Sequence, residues 1–99
     1  MAAQTTQNVF EMEVVEVFHF DDGRTVLVGR IEGDEYVGPC DGELVVDDAE
    51  RQRLRIEGEM LTDAKHPDGY RSISTRSPVE LDAAELKARR CVVRSVAAP

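Results

Sequence analysis

Apolar side chains recur at every second position in short runs, and Gly, Asp and Pro break those runs at close intervals. A period of two puts alternate side chains on opposite faces of an extended strand, so each run can bury one face and wet the other. Phe10, Met12 and Val14 alternate with Glu11 and Glu13. The phase then slips: Val15 and Val17 are apolar, followed by Phe18 and Phe20 around His19. One slipped phase within an extended run predicts a bulge or bend. Asp21-Asp22-Gly23 predicts a tight turn. Thr25 to Ile31 is rich in β-branched and aliphatic residues but is interrupted by Gly29, and a glycine inside a strand marks a bend or a close backbone approach.

The rest of the chain repeats the scheme. Gly33-Asp34-Glu35 turns, Tyr36-Val37 is a short extended piece, and Gly38-Pro39 with Asp41-Gly42 punctuates a loop. Glu43–Val46 reads as a strand ended by Asp47-Asp48. Leu54, Ile56 and Met60 alternate with Arg53, Arg55, Glu57 and Glu59, a strand with a charged outer face. His66-Pro67-Asp68-Gly69 is a further turn, and Tyr70, Ile73 and Val79 support one or two strands. Leu81–Leu86 is the one helix-like segment, with Asp82 placed to cap it. Cys91-Val92-Val93 is the last strand. About seven short strands at regular spacing predict an all-β chain, a small closed or nearly closed antiparallel barrel with one short helical turn near the C-terminus. With 99 residues, the chain has room for one domain, expected over 9–96 between tails at 1–8 and 97–99.

Charge narrows the function classes. Residues 1–50 carry thirteen acidic and two basic side chains, a balance of −11, and residues 51–99 carry seven and ten, a balance of +3. The net charge of −8 repels a phosphate backbone on average and argues against non-specific nucleic-acid binding. No apolar run approaches the ~20 residues of a membrane helix. The polar N-terminus lacks the basic and apolar regions of a signal peptide, and Cys40 and Cys91 are then expected as reduced thiols in a cytoplasmic chain.

Little in the chain points to catalysis. His19 and His66 lack obvious partners, Ser72, Ser74 and Ser77 lack a nucleophile-elbow setting, and Asp21-Asp22 and Asp47-Asp48 lack the spacing of a calcium loop. The two cysteines lack the close pairing of a zinc site. No enzyme activity, metal or cofactor is expected. Arg51, Arg53 and Arg55 alternate, so a strand would put all three on one face, where Lys87, Arg89, Arg90 and Arg94 could join them. That face is either a phosphate-binding patch or a solvated surface pairing with Glu43, Glu57 or Glu59.

The stretch from Val17 to Gly33 resembles the opening of the second domain of translational GTPases such as elongation factor Tu. Thr25-Val26-Leu27, Gly29-Arg30-Ile31-Glu32 and Gly33 occupy the places of that family's "TVV-x-GRVE-x-G". Val37, Asp41, Leu44 and Val46 resemble its next hairpin, Arg55-Ile56-Glu57 its following strand, and Ser72–Thr75 with Leu81–Lys87 its later segment. The likeness spans about residues 10–94. The second glycine of the family's Gly-Arg-Gly turn is missing after Arg24, and the glycine expected near Arg89-Arg90-Cys91 is absent. The chain contains no phosphate loop ending in Gly-Lys-Ser/Thr, so nucleotide binding is not carried over. The resemblance implies a small antiparallel barrel. It also implies a pocket for the aminoacylated end of tRNA, in which Glu16, Phe18 and Glu57 match while Val15 and Val28 replace an acidic residue and a threonine. Phe18 is expected in the core, and Val26, Val28 and Ile31 are expected to be largely buried.

The expectation is therefore a non-enzymatic binding module that docks a protein partner through its acidic surface. The alternative is an RNA- or ribosome-associated factor using the arginine strand.

Overall fold

The computed structural model describes residues 10–31, 36–60 and 69–96. Its elements are β1 (Glu11–His19), β2 (Thr25–Ile31), β3 (Cys40–Val46), β4 (Ala49–Glu59), β5 (Arg71–Thr75), α1 (Ala83–Ala88) and β6 (Cys91–Ser95). The strands form one antiparallel sheet in the order β1-β2-β5-β4-β3-β6, and β6 returns to β1 through Glu11↔Arg94, Met12↔Val93 and Glu13↔Val92. The sheet thus closes in a ring. Where the ring closes, Ser95 N–H donates to the Phe10 carbonyl at 3.0 Å and Phe10 N–H donates to the Ser95 hydroxyl at 3.0 Å.

Among the described residues six strands form, against about seven expected for the whole chain. Tyr36-Val37 is too short a run before Gly38-Pro39 to make a ladder; it hangs on the end of β4, where Glu59 N–H donates to the Val37 carbonyl at 2.8 Å. Val79 follows Pro78, which has no N–H to give a ladder, so Val79 packs into the core from outside any strand. The turn at Gly33-Asp34-Glu35, most of the turn at His66-Pro67-Asp68-Gly69, and the expected tails lie outside the described residues. Asp47 and Asp48 have φ of 51° and 68°, the left-handed pair that a two-residue hairpin requires between β3 and β4. Asp82 caps α1, its carboxylate accepting from Glu85 N–H at 2.8 Å.

Period-two patterning fills the ring. Each strand supplies a fully buried side chain: Met12, Leu27, Leu44, Ile56, Ile73 and Val93. Burying such a side chain is worth about 1.5–3 kcal/mol. Three bulges bend the strands around this core. Val15 is extra between Val14↔Gly29 and Glu16↔Val28, as the slipped phase predicts. Arg51 is extra between Gln52↔Leu44 and Glu50↔Val45, and Glu57 between Ile56↔Thr75 and Gly58↔Ser74. At Gly29 a Cβ atom would collide with the Glu13 carbonyl oxygen and lie 2.8 Å from its carbon, so the glycine allows β1 and β2 to approach. Val26 and Val28 are buried as expected, and Ile31 is half-buried.

The segment between β5 and α1 seals the side of β4 that β5 is too short to cover. Gln52 lies in the inward row with Leu54 and Ile56, and its side-chain amide acts as a surrogate strand. It donates to the Pro78 carbonyl at 2.7 Å and accepts from Glu80 N–H at 2.7 Å. Ser77 accepts from Arg55 N–H at 3.0 Å, and Arg51 donates to the Glu80 carbonyl at 3.1 Å. Replacing Gln52 with Ala should cost about 1–2 kcal/mol, since two backbone groups lose their partners. Urea denaturation checks this, and an unchanged midpoint would refute the sealing role.

Candidate functional site

The bulge at Val15 decides which side chains of β1 face out. Before it, Met12 and Val14 point inward; after it, Val17 packs against the core while Glu16 and Phe18 are exposed. Phe18 is 46% exposed and Phe20 47%, which corrects the expectation that Phe18 sits in the core. The extra residue inverted its phase.

On this outer face, Phe18 lies in register with Val26 and Ser74, and Glu16 with Val28 and Ser72. Glu57 joins them from β4: the Ser74 hydroxyl donates to its carboxylate at 3.5 Å, and Arg76 bridges it at 3.3 Å. Three residues matched by family resemblance, Glu16, Phe18 and Glu57, therefore share one face, over a row of buried Val26, Val28, Ser72 and Ser74. Glu16, Asp21 and Asp22 have no ion-pair partner among the described residues.

Beside this face, an open cleft of about 410 Å³ lies where the β1–β2 turn meets the segment after β5. His19, Phe20, Gly23, Thr25, Arg76 and Val79 are among its lining residues. Arg24 stacks its guanidinium 5.4 Å from the Phe20 ring centroid, holding the ring at the rim. His19 Nε2–H donates to the Leu81 carbonyl at 3.0 Å, leaving Nδ1 to accept from the Thr25 hydroxyl at 3.3 Å. Both ring nitrogens are thus committed to structure, tying β1 to the sealing segment. His66 lies outside the described residues.

The arginines fare differently. Arg51, as a bulge residue, turns to α1 and pairs with Glu85 at 2.6 Å, which holds that carboxyl below its ordinary range. Arg53 and Arg55 stay on the outward side of β4, their side chains 63% and 62% exposed, bridging Glu50 at 3.5 Å and Asp41 at 3.1 Å. The partners expected for them are otherwise engaged: Glu57 pairs with Arg76, Glu59 with Arg71, and Glu43 with Arg94 at 2.6 Å. The Arg94 guanidinium holds Glu43 below the usual carboxylate range. Glu11, Arg94, Glu43 and Arg53 follow one another across β1, β6, β3 and β4, a row of alternating sign. The sequence split between acidic and basic halves is undone in space, because β3 lies between β4 and β6.

The chain matches no family model, no curated protein and no solved structure. Its own chemistry must carry the reading. Burial pushes the thiols of Cys40 and Cys91 up, away from the reactive thiolate form. Among the described residues, no group of three or more His, Cys, Asp or Glu could hold a metal ion, and no helix is long and apolar enough to cross a membrane. Sequence reasoning missed Gln52, Phe20 and the cleft. A polar residue in the inward row of Leu54 and Ile56 was the available signal for Gln52; the cleft joins segments more than fifty residues apart and left none.

Proposed function

We propose that the chain is a non-enzymatic binding module, a barrel like the second domain of translational GTPases, that works in the cytoplasm by docking a protein partner. One observation carries this reading: Phe18 and Phe20 are each nearly half exposed beside Glu16, Asp21 and Asp22, which have no ion-pair partner among the described residues, the Asp22 carboxylate accepting the backbone N–H of Arg24 at 2.9 Å. Exposed aromatic rings supply desolvation energy at an interface, and unpaired carboxylates steer a basic partner to it. Glu57, already bridged by Arg76, contributes to the border of the face. The arginine strand suits an RNA partner less, because Arg51, Arg53 and Arg55 each have a carboxylate in place of a phosphate.

A photo-crosslinking amino acid placed at position 18 or position 53 separates the two readings in living cells. Position 18 is expected to yield adducts that protease removes and nuclease leaves intact, with position 53 giving none. Purified protein is expected to show no measurable affinity for tRNA or ribosomal RNA fragments at about 0.15 M salt. Nuclease-sensitive adducts at position 53, or micromolar RNA binding lost when the three arginines become serine, would overturn the protein-docking reading.

A further inference from the structure

The geometry points to the cleft beside Phe20 as the anchor of that docking face, built for an apolar side chain carried on a basic, extended segment of another protein. This inference rests on the docking reading and names its occupant. The cleft, about 410 Å³, has the size of a small ligand pocket. Pro78 and Val79 give it apolar walls, Gly23 adds no side chain, and Phe20 stands at the rim under Arg24. The one fully charged side chain among the described lining residues, Arg76, is already turned to Glu57 and to the Asp22 carbonyl, at 3.3 Å each. An anionic guest would have to compete with that carboxylate. The nearby charges without an ion-pair partner among the described residues are three carboxylates against one cation: Asp21 and Asp22 lie in the turn that contributes Gly23, Glu16 lies on β1 in the outward row with Phe18, and Arg24 is the cation, stacked on the Phe20 ring.

The backbone cannot be read by strand addition, because the sheet closes on itself. Recognition falls to side chains: one apolar residue in the cleft, with lysine or arginine on either side reaching Glu16, Asp21 and Asp22. The complementary charges set the on-rate, and burial of the anchor sets the lifetime of the complex.

The test is a titration of the isotope-labelled full chain, followed by NMR, with a synthetic peptide of lysines flanking one central phenylalanine. Saturable shifts are expected at residues 19–25 and 76–79. A peptide with glycine at the centre should bind at least about tenfold more weakly, the factor that burying one aromatic side chain supplies. Phe20→Ser should reproduce that loss in a folded chain, since Phe20 is nearly half exposed and lies outside the core cluster. Glu16→Lys combined with Asp21→Lys should weaken binding and flatten its salt dependence. Equal affinity for the two peptides, shifts centred on Arg53 and Arg55, or a short RNA moving the cleft residues at about 0.15 M salt would each overturn the proposal. Protein adducts from position 18 together with a peptide that leaves the cleft unmoved would sink the anchor alone and leave the docking reading standing.

Discussion

Replacing Gly29 with Val is expected to destabilise the chain by about 3 kcal/mol or more, the range reserved for changes that force backbone apart. The new Cβ would meet the Glu13 carbonyl oxygen, a backbone atom that no rotamer change can move aside. Relief requires shifting β1 away from β2 where Glu13↔Arg30 and Val14↔Gly29 pair, next to the bulge at Val15. For a domain of this size the melting temperature should fall by roughly 12 °C or more. Gly29→Ala should already show most of the loss, because the first carbon makes the collision. Gly23→Ala is the contrasting case: its Cβ meets nothing within 4 Å, but its φ of +90° is disfavoured by a side chain. A cost of about 1–2 kcal/mol is expected there. Thermal and urea melts of the three variants check the order, and a Gly29→Ala protein as stable as the parent would refute the close approach.

The second large effect is expected at Glu59. Its carboxylate accepts from Arg71 Nε and from an Arg71 terminal nitrogen, both at 2.7 Å, and from Val37 N–H at 3.2 Å. The two side chains are only 10% and 19% exposed. The Arg71 guanidinium, first, and the Val37 amide hold the Glu59 carboxyl below its ordinary range, against the opposing push of burial. A carboxyl depressed in the folded state stabilises fully above its unfolded pKa, near pH 4, and loses that contribution as pH falls through the lower folded value. Glu59→Gln should therefore cost about 2–3 kcal/mol at pH 7, less than a fully buried pair would. The gap between variant and parent should narrow as acid protonates Glu59 in the parent. Urea melts at pH 7 and pH 3 measure both gaps. Equal gaps at the two pH values would show that the charge of Glu59 is not what matters.

Local features of the chain were legible as residues. The slip at Val15, the close approach at Gly29, the Asp47-Asp48 turn and the Asp82 cap each depend on neighbours within a few positions, where steric rules act directly. The direction of Phe18 was not. A slipped phase says that one residue is extra without saying which: the slip at Val15, ahead of Phe18, turns Phe18 outward, whereas a slip after Phe18 leaves it in the inward row of Met12 and Val14. The ion-pair partners were equally hidden: Arg51 to Glu85 and Arg94 to Glu43 depend on which strands become neighbours, and alternation is silent on strand order. The same blindness hid Gln52, whose partners Pro78 and Glu80 belong to a segment with no strand pattern of its own.

The mutual hydrogen bonds of Phe10 and Ser95 have a consequence for how such a unit can be carried. Polypeptide entering at one residue and leaving at the other passes through a single point on the ring, like two wires from one socket. A host protein could bear the module on any surface loop whose stems stand a strand's width apart, without stretching its own backbone or the ring. Opening the circuit elsewhere, at the exposed Asp47-Asp48 hairpin for example, would leave these two residues to be joined by a short linker, so the order of strands along the chain is separable from their order around the ring.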